Sequence, residues 1–282
     1  MMDFPEDFRV RYLADGACLL RNALDADQIA LLREAVFGLI GQAPVGGEGV
    51  QPFFADDGTQ VVKYDGGFYV EYLSRHCDHI RQMLESTMLP NLACGILDAE
   101  EVTFWRDEVH YKSANTQTNA TPWHHGAGSF PFKGADALTI WIPITRVTIQ
   151  DGPLQTVRES HLDMSKRFRP PTRTPSAADD GDIYVDVPNF TALNDAGTVD
   201  VTTWIMEPGD ALAFHPYTVH GSLPNIAGSE RIAYVSRWLG DDVRYEPDAY
   251  SVPEPAINAS DLHDGRPVDP LFPRFRRSPA IV

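Results

Sequence analysis

Residues 121–126 read Thr121-Pro122-Trp123-His124-His125-Gly126, an aromatic and β-branched run that stops at a glycine. The same texture extends on both sides. Past Gly95 the chain is a series of short apolar runs at 101–112, 119–125, 137–145, 154–158, 182–187, 199–206, 210–215 and 231–239, with Gly152, Gly209, Gly221, Pro153 and Pro208 at the joins. Runs of this length and composition read as strands, and strands at such spacing predict a sandwich or jelly roll. The expected fold is mainly β with flanking helices, built on a double-stranded β-helix of the cupin-like kind.

Outward from that core, residues 1–95 predict a helical layer. Arg11 to Asn22 supplies a strand before the first helix, and Asp25 caps that helix with Gln28 three positions on, while Leu24 staples onto Ile29. Ile29, Leu32, Ala35, Val36, Leu39 and Ile40 recur at helical spacing up to a stop near residue 44. Residues 45–70 are glycine-rich and polar, which predicts a long loop with one short strand at Gln60 to Tyr64. A second helix is expected from Glu71 to Glu85; its His76 and His79 are ordinary histidines in this reading, since no further ligand lies nearby. Residues 246–282, rich in Pro and Asp, predict an extension packed over the core, so that 1–282 forms one domain with its core at 96–245.

Composition narrows the function. Lys and Arg number 23 against 40 Asp and Glu, a formal charge of −17. Phosphate backbones and anionic membranes need a basic face, so nucleic acid and membrane are excluded as partners in favour of a small-molecule substrate. Cys18, Cys77 and Cys94 have no C-x-x-C spacing and read as buried thiols of a reducing compartment. The acidic N-terminus lacks the apolar stretch of a signal peptide, and the longest apolar run, Ala137 to Pro143, is too short to cross a bilayer. A cytoplasmic protein is expected. Within this acidic chain Lys166, Arg167, Arg169 and Arg173 form a basic island. It is either a solvated loop or a rim that attracts an anionic substrate, and Arg158 is a further candidate for substrate contact.

His124 ends one candidate strand. His220 closes a later one, "ALAFHPYTVHG", after a Pro208-Gly209-Asp210 turn, and Arg231 opens the next, "RIAYVSRW". Two imidazoles held on rigid strands suit a first-row metal, and a following arginine suits a carboxylate, whose two oxygens its donor fork matches.

These motifs resemble the phytanoyl-CoA dioxygenase family, to which ectoine hydroxylase belongs. The residues carrying the likeness run in order from about 11 to 245: "YLADGACLLRNALDADQIALLREAV", "TPWHHG" with "FPFKG", "ALTIWIPITRVTIQDGPLQTV" with "SH", and "FHPYTVHGSLPN" with the arginine and "SRWLGDD". The resemblance implies an enzyme using Fe(II), 2-oxoglutarate and O2. It implies His124 and His220 as iron ligands, Arg231 and Ser222 as contacts of the 2-oxoglutarate carboxylate, and Trp141 as an aromatic bordering the co-substrate. The strand Arg106 to Tyr111 contributes further contacts in the family; Glu108 and His110, which share a face by strand alternation, are the candidates for co-substrate or substrate.

The chain departs from the family at Gly126, where the pattern is His-x-Asp. His125 does not replace the lost carboxylate, because adjacent strand residues point to opposite faces. Losing the Asp opens a coordination position and removes one negative charge, and a monoanion such as chloride restores both. The resemblance implies the glycine as the open halide position of a halogenase expected to attack an unactivated C–H bond, since 2-oxoglutarate halogenases resemble this sequence in having Ala or Gly there. The alternatives are a hydroxylase, either an engineered Asp-to-Gly variant or one that accepts water at that position, and a non-catalytic binding protein on the same fold. Restoring Asp at 126 is expected to abolish chlorination in a halogenase and to recover hydroxylation in an engineered variant.

Overall fold

The computed structural model describes residues 7–40, 50–54, 59–171, 175, 183–252, 262–263, 265–267 and 272–278. The chain begins with α1 (Asp7–Asp15), β1 (Ala17–Leu20) and α2 (Ala26–Ile40), then runs through β2 (Val50–Phe54), β3 (Thr59–Tyr64) and β4 (Gly67–Glu71). Three short helices follow: α3 (Leu73–His76), α4 (Asp78–Ser86) and α5 (Leu89–Leu97). Next come β5 (Glu101–Lys112), β6 (Thr121–His124), β7 (Phe132–Lys133), β8 (Ala137–Pro143), β9 (Leu154–Val157), β10 (Arg167–Phe168) and β11 (Tyr184–Val185). The helix α6 (Phe190–Asp195) precedes β12 (Val201–Thr203), β13 (Ala211–Phe214), β14 (His220–Ser222) and β15 (Arg231–Leu239). The described chain ends with β16 (Arg244–Tyr245), β17 (Leu262–His263), β18 (Arg266–Pro267) and β19 (Arg274–Arg276).

The larger sheet runs β1-β13-β8-β15-β5-β4-β3-β2, with β19 also on β5, and the smaller runs β12-β9-β14-β6. All these pairings are antiparallel. Together they form the jelly-roll core. Strand alternation divides its burial between two faces. Ile140, Ile142, Ala211, Ala213, Ile232 and Tyr234 face the helical layer, among Leu32, Val36, Ile80, Leu84, Leu92 and Ile96. Trp141, Leu212, Phe214, Ala233 and Val235 face inward and pack with Leu154 of the smaller sheet. Each fully buried Leu or Ile of this kind contributes roughly 1.5–3 kcal/mol.

The helix α2 is capped as its sequence predicts: Gln28 N–H donates to Asp25 Oδ1 at 2.9 Å, and Asp25 N–H donates to Gln28 Oε1 at 3.1 Å. Elsewhere the N-terminal part departs from the reading. A helix, α1, takes the first part of the Arg11–Asn22 segment and leaves the expected strand only Ala17–Leu20, and the expected second helix breaks at Cys77 into α3 and α4, with Glu71 already in β4. The glycine-rich stretch contains three strands rather than one, and they extend the larger sheet. The first 95 residues therefore supply sheet as well as helix. Cys18 and Cys94 are buried and Cys77 is half-buried, all three as free thiols. His79 is exposed, and the side chain of His76 lies outside the described residues. Among the described residues no helix is long and apolar enough to cross a membrane.

Candidate metal and co-substrate site

β6 and β14 are antiparallel neighbours in the smaller sheet, and their register sets His124 directly opposite His220. The ladder slips between His220 and Ser222, so β6 holds an extra residue near Pro122. A proline has no N–H to give a ladder, and a bulge is where a strand tolerates one. Pro122 is also functional in another way, because its carbonyl accepts from His124 Nδ1 at 2.8 Å. His220 Nδ1 makes the equivalent bond to the Thr218 carbonyl at 2.9 Å. With Nδ1 carrying the proton, each ring keeps its Nε2 lone pair for a metal, the usual way a backbone carbonyl fixes the tautomer of a ligand. The ring centroids are 4.2 Å apart. Burial lowers the pKa of both imidazoles, that of His220 well below its ordinary value, which favours the neutral form that ligates.

This donor pair fits a divalent first-row metal, and among the described residues no carboxylate completes it. Among the described residues no group of three His, Cys, Asp or Glu is arranged to hold a metal ion. Gly126 follows in a 3-10 turn, Gly126–Gly128, and His125 is turned away from the pair. The His125 ring is buried against Phe168 and Tyr217, with Nδ1 3.1 Å from Gly128 N and Nε2 2.9 Å from Phe168 N. Burial, followed by the charge of His124, brings its pKa down to about 3. A neutral imidazole accepts at one nitrogen only, so one of these N–H groups bonds to it at a time; in either case His125 holds backbone.

Across from the histidines, alternation along β5 points Arg106, Glu108, His110 and Lys112 to one face. Glu108 is ion-paired with Arg106 at 3.0 Å and with Arg237, and accepts a hydrogen bond from His110 Nε2 at 2.8 Å, while Arg106 also reaches Glu71 at 3.1 Å. Burial alone raises the Glu108 pKa, but Arg237 and Arg106 overcome it and hold the carboxyl well below its ordinary range. His110 is lowered by burial, against the opposing pull of Glu108. The extra residue that aims this face is Trp105: Arg237 pairs with Arg106 and Trp238 with Phe104, which leaves Trp105 as a bulge.

At the other end of the face, Arg231 is the cross-strand partner of Lys112. The Lys112 ammonium is fully buried and donates to Ser222 Oγ at 2.6 Å and to the Leu223 carbonyl at 2.9 Å. Ser222 Oγ in turn donates to Thr121 Oγ1 at 2.8 Å. The Arg231 guanidinium carbon lies 5.6 Å from the centre of the Trp141 ring. Burial, and then the neighbouring Arg231, lower the Lys112 pKa to about 6. An arginine, a lysine able to take up a proton and a hydroxyl, gathered near an aromatic ring, suit a carboxylate. Lys112 lies one residue beyond Arg106–Tyr111, the stretch from which the resemblance implies co-substrate contacts. The alternation that paired Glu108 with His110 reaches Lys112 next.

Other expected site residues are engaged elsewhere. Arg158 is exposed and its guanidinium is bound to Asp15 at 2.7 Å and Asp200 at 3.2 Å. Within the basic island, Arg167 pairs with Asp248 and Arg169 with Asp186 at 2.9 Å. Arg173 lies outside the described residues. The positive charge of Arg158, Arg167 and Arg169 is met by the chain's own carboxylates.

The whole fold is similar to solved non-haem α-ketoglutarate-dependent enzymes. The carbocyclase SnoK from nogalamycin biosynthesis matches with a TM-score of 0.70 at 19% identity, over 96% of this chain and 96% of that one. The epimerase SnoN, in complex with Fe3+, α-ketoglutarate and nogalamycin RO, matches at 0.68 and 22% identity, over 95% of this chain and 97% of its own. EctD from S. alaskensis, with 2-oxoglutarate and 5-hydroxyectoine, matches at 0.68 and 17% identity, over 89% of this chain and 82% of its own. None of the curated proteins matches the chain significantly. The model of the phytanoyl-CoA dioxygenase (PhyH) family matches residues 12–233, a span that includes His124, His220 and Arg231, and the chain belongs to that family.

Proposed function

We propose that this chain is a non-haem Fe(II)/2-oxoglutarate-dependent halogenase acting on an unactivated C–H bond of a small metabolite. The observation that carries the reading is a cross-strand His124–His220 pair, tautomerically set for a metal, followed by Gly126 where the family has Asp. His124 and His220 hold the iron through Nε2. Arg231, Lys112 and Ser222 bind the distal carboxylate of 2-oxoglutarate, and Trp141 walls that end. Gly126 leaves a coordination position to chloride. When bound, iron with 2-oxoglutarate and O2 supplies the oxidising power for C–H cleavage. The residues decide the outcome by where they hold the substrate carbon. Glu108, already neutralised by two arginines and bonded to His110, is suited to fix the orientation of a polar group on the substrate.

The alternative of an engineered hydroxylase predicts surroundings still shaped for an aspartate. Phe130 instead reaches into the space over Gly126, where a Cβ would meet its ring at 2.7 Å. Packing of this kind belongs with a glycine.

Anaerobic titration with iron(II) and 2-oxoglutarate tests the reading. A weak visible charge-transfer band is expected, and chloride is expected to shift it. A band indifferent to chloride would leave a hydroxylase with water in the open position; no band at all would reject both enzymes. Mass spectrometry of a metabolite pool supplied with iron, 2-oxoglutarate, O2 and chloride would then look for chlorinated products.

A further inference from the structure

The tip of the Phe130 ring lies where a side chain at position 126 would begin. A Cβ on Gly126 would stand 2.7 Å from Phe130 Cζ, 2.9 Å from Cε1 and 3.4 Å from Cε2. Such separations are far inside ordinary van der Waals contact, so an added side chain requires the ring to move. Its surroundings oppose that movement. Phe130 is 5% exposed, stands edge-on to Trp105 with centroids 4.7 Å apart, and has the Arg237 guanidinium carbon 5.2 Å from its own ring centre. Arg237 is fixed in turn by its ion pair with Glu108. The backbone is tied as well, since Phe130 N–H donates to the Gly126 carbonyl at 3.1 Å.

We propose that Phe130 determines what completes the His124–His220 centre: its ring fills the volume that a carboxylate-bearing side chain at 126 would need, and so reserves the remaining protein-side position for a small ligand from solution. The inference rests on the reading of His124 and His220 as metal ligands. Gly126 and Phe130 then form a pair, and an aspartate introduced at 126 alone does not ligate. This revises the expectation that Asp at 126 by itself abolishes chlorination in a halogenase.

The pair is tested without substrate, 2-oxoglutarate or turnover, by anaerobic titration of the full chain with Co(II), read by visible absorption and chelator competition. Neither Gly126→Asp nor Phe130→Ala is expected to tighten Co(II) binding, whereas the double variant binds about tenfold or more tighter, with a changed spectrum. Phe130→Leu, alone and with Gly126→Asp, serves the same purpose should the alanine variant fail to fold. The packing half has its own readout: the loss of Tm on truncating Phe130 is smaller in the Gly126→Asp background than in the glycine background. If Gly126→Asp alone reaches the affinity of the double variant, the proposal is overturned while the metal reading stands. If the unmodified chain takes up no Co(II), or His220→Ala takes it up equally well, the metal reading fails and the proposal falls with it.

Discussion

Buried at the end of β5 with Arg231 directly across the ladder, Lys112 has an ammonium held by one hydroxyl and one carbonyl, and a pKa lowered by burial to about 6. A bound dicarboxylate favours the charged form, so the pKa rises on binding. Co-substrate binding is therefore expected to take up a proton, and affinity is expected to fall as pH rises from about 6 through the higher pKa of the complex. Calorimetry in buffers of different ionisation enthalpy measures that uptake directly. Lys112→Met is expected to weaken 2-oxoglutarate binding roughly tenfold to hundredfold, the worth of one charge-assisted bond, and to abolish the uptake. Unchanged affinity in this variant would remove Lys112 from the co-substrate seat. His124, His220 and Arg231 could be found in the sequence because each ends or opens an apolar run that the family pattern also marks. Phe130 could not, because its importance lies in its ring occupying the volume over Gly126, and sequence records no distances.

At the scale of elements, the outward face of β5 does for stability what its inward face does for the site. Asp107 accepts from Ser74 N–H at 3.0 and 3.1 Å, from Ser74 Oγ at 3.1 Å and from Tyr234 Oη at 3.1 Å, joining the start of α3 to the sheet. Burial outweighs these bonds and raises its pKa from 3.8 to about 6. The folded state therefore binds this proton more tightly than the unfolded state. The contribution is greatest below pH 4 and is lost as pH rises to about 6, a swing of about 3 kcal/mol. Asp107→Asn is expected to lose this particular decline. Tm measured from pH 4 to 7 in both proteins, taken as a difference, isolates it from carboxyls such as Glu108 whose pKa moves the other way; a difference that stays level across the range would assign the proton elsewhere. Elements were legible where local chemistry is strong, as in the Asp25–Gln28 cap and in β5 and β15, whose ends match the apolar runs. The β3–β4 hairpin carried an unused signal, an Asp65-Gly66 turn with Gly66 at φ 67°, amid glycine that otherwise reads as loop. The helix α5 is apolar on nearly every side and has no polar stripe to reveal its period.

The molecule as a whole brings distant parts of the chain to one centre, and long-range ion pairs hold some of them there. Asp248 from the C-terminal part binds both Lys133 at 2.6 Å and Arg167, linking three segments that sequence separation keeps apart. Local patterns give no hint of such pairs, which is why the basic island reads in the sequence as either a solvated loop or a rim for an external anion. A metal on His124 and His220 would add a further long-range link, between β6 and β14. Any ligand that binds the folded chain alone stabilises it by mass action, about 2.7 kcal/mol at a hundredfold excess over Kd, or roughly 5–8 °C in Tm for a chain of this size. Anaerobic thermal unfolding with Co(II) is expected to show a shift of that order in the unmodified chain, none in His124→Ala or His220→Ala, and a further rise when 2-oxoglutarate is added. Lys112→Met should retain the metal shift and lose most of the 2-oxoglutarate increment, since in the proposed site His124 and His220 hold the metal while Lys112 belongs to the seat of the distal carboxylate. A shift that persists in both histidine variants would place the metal elsewhere on this acidic surface.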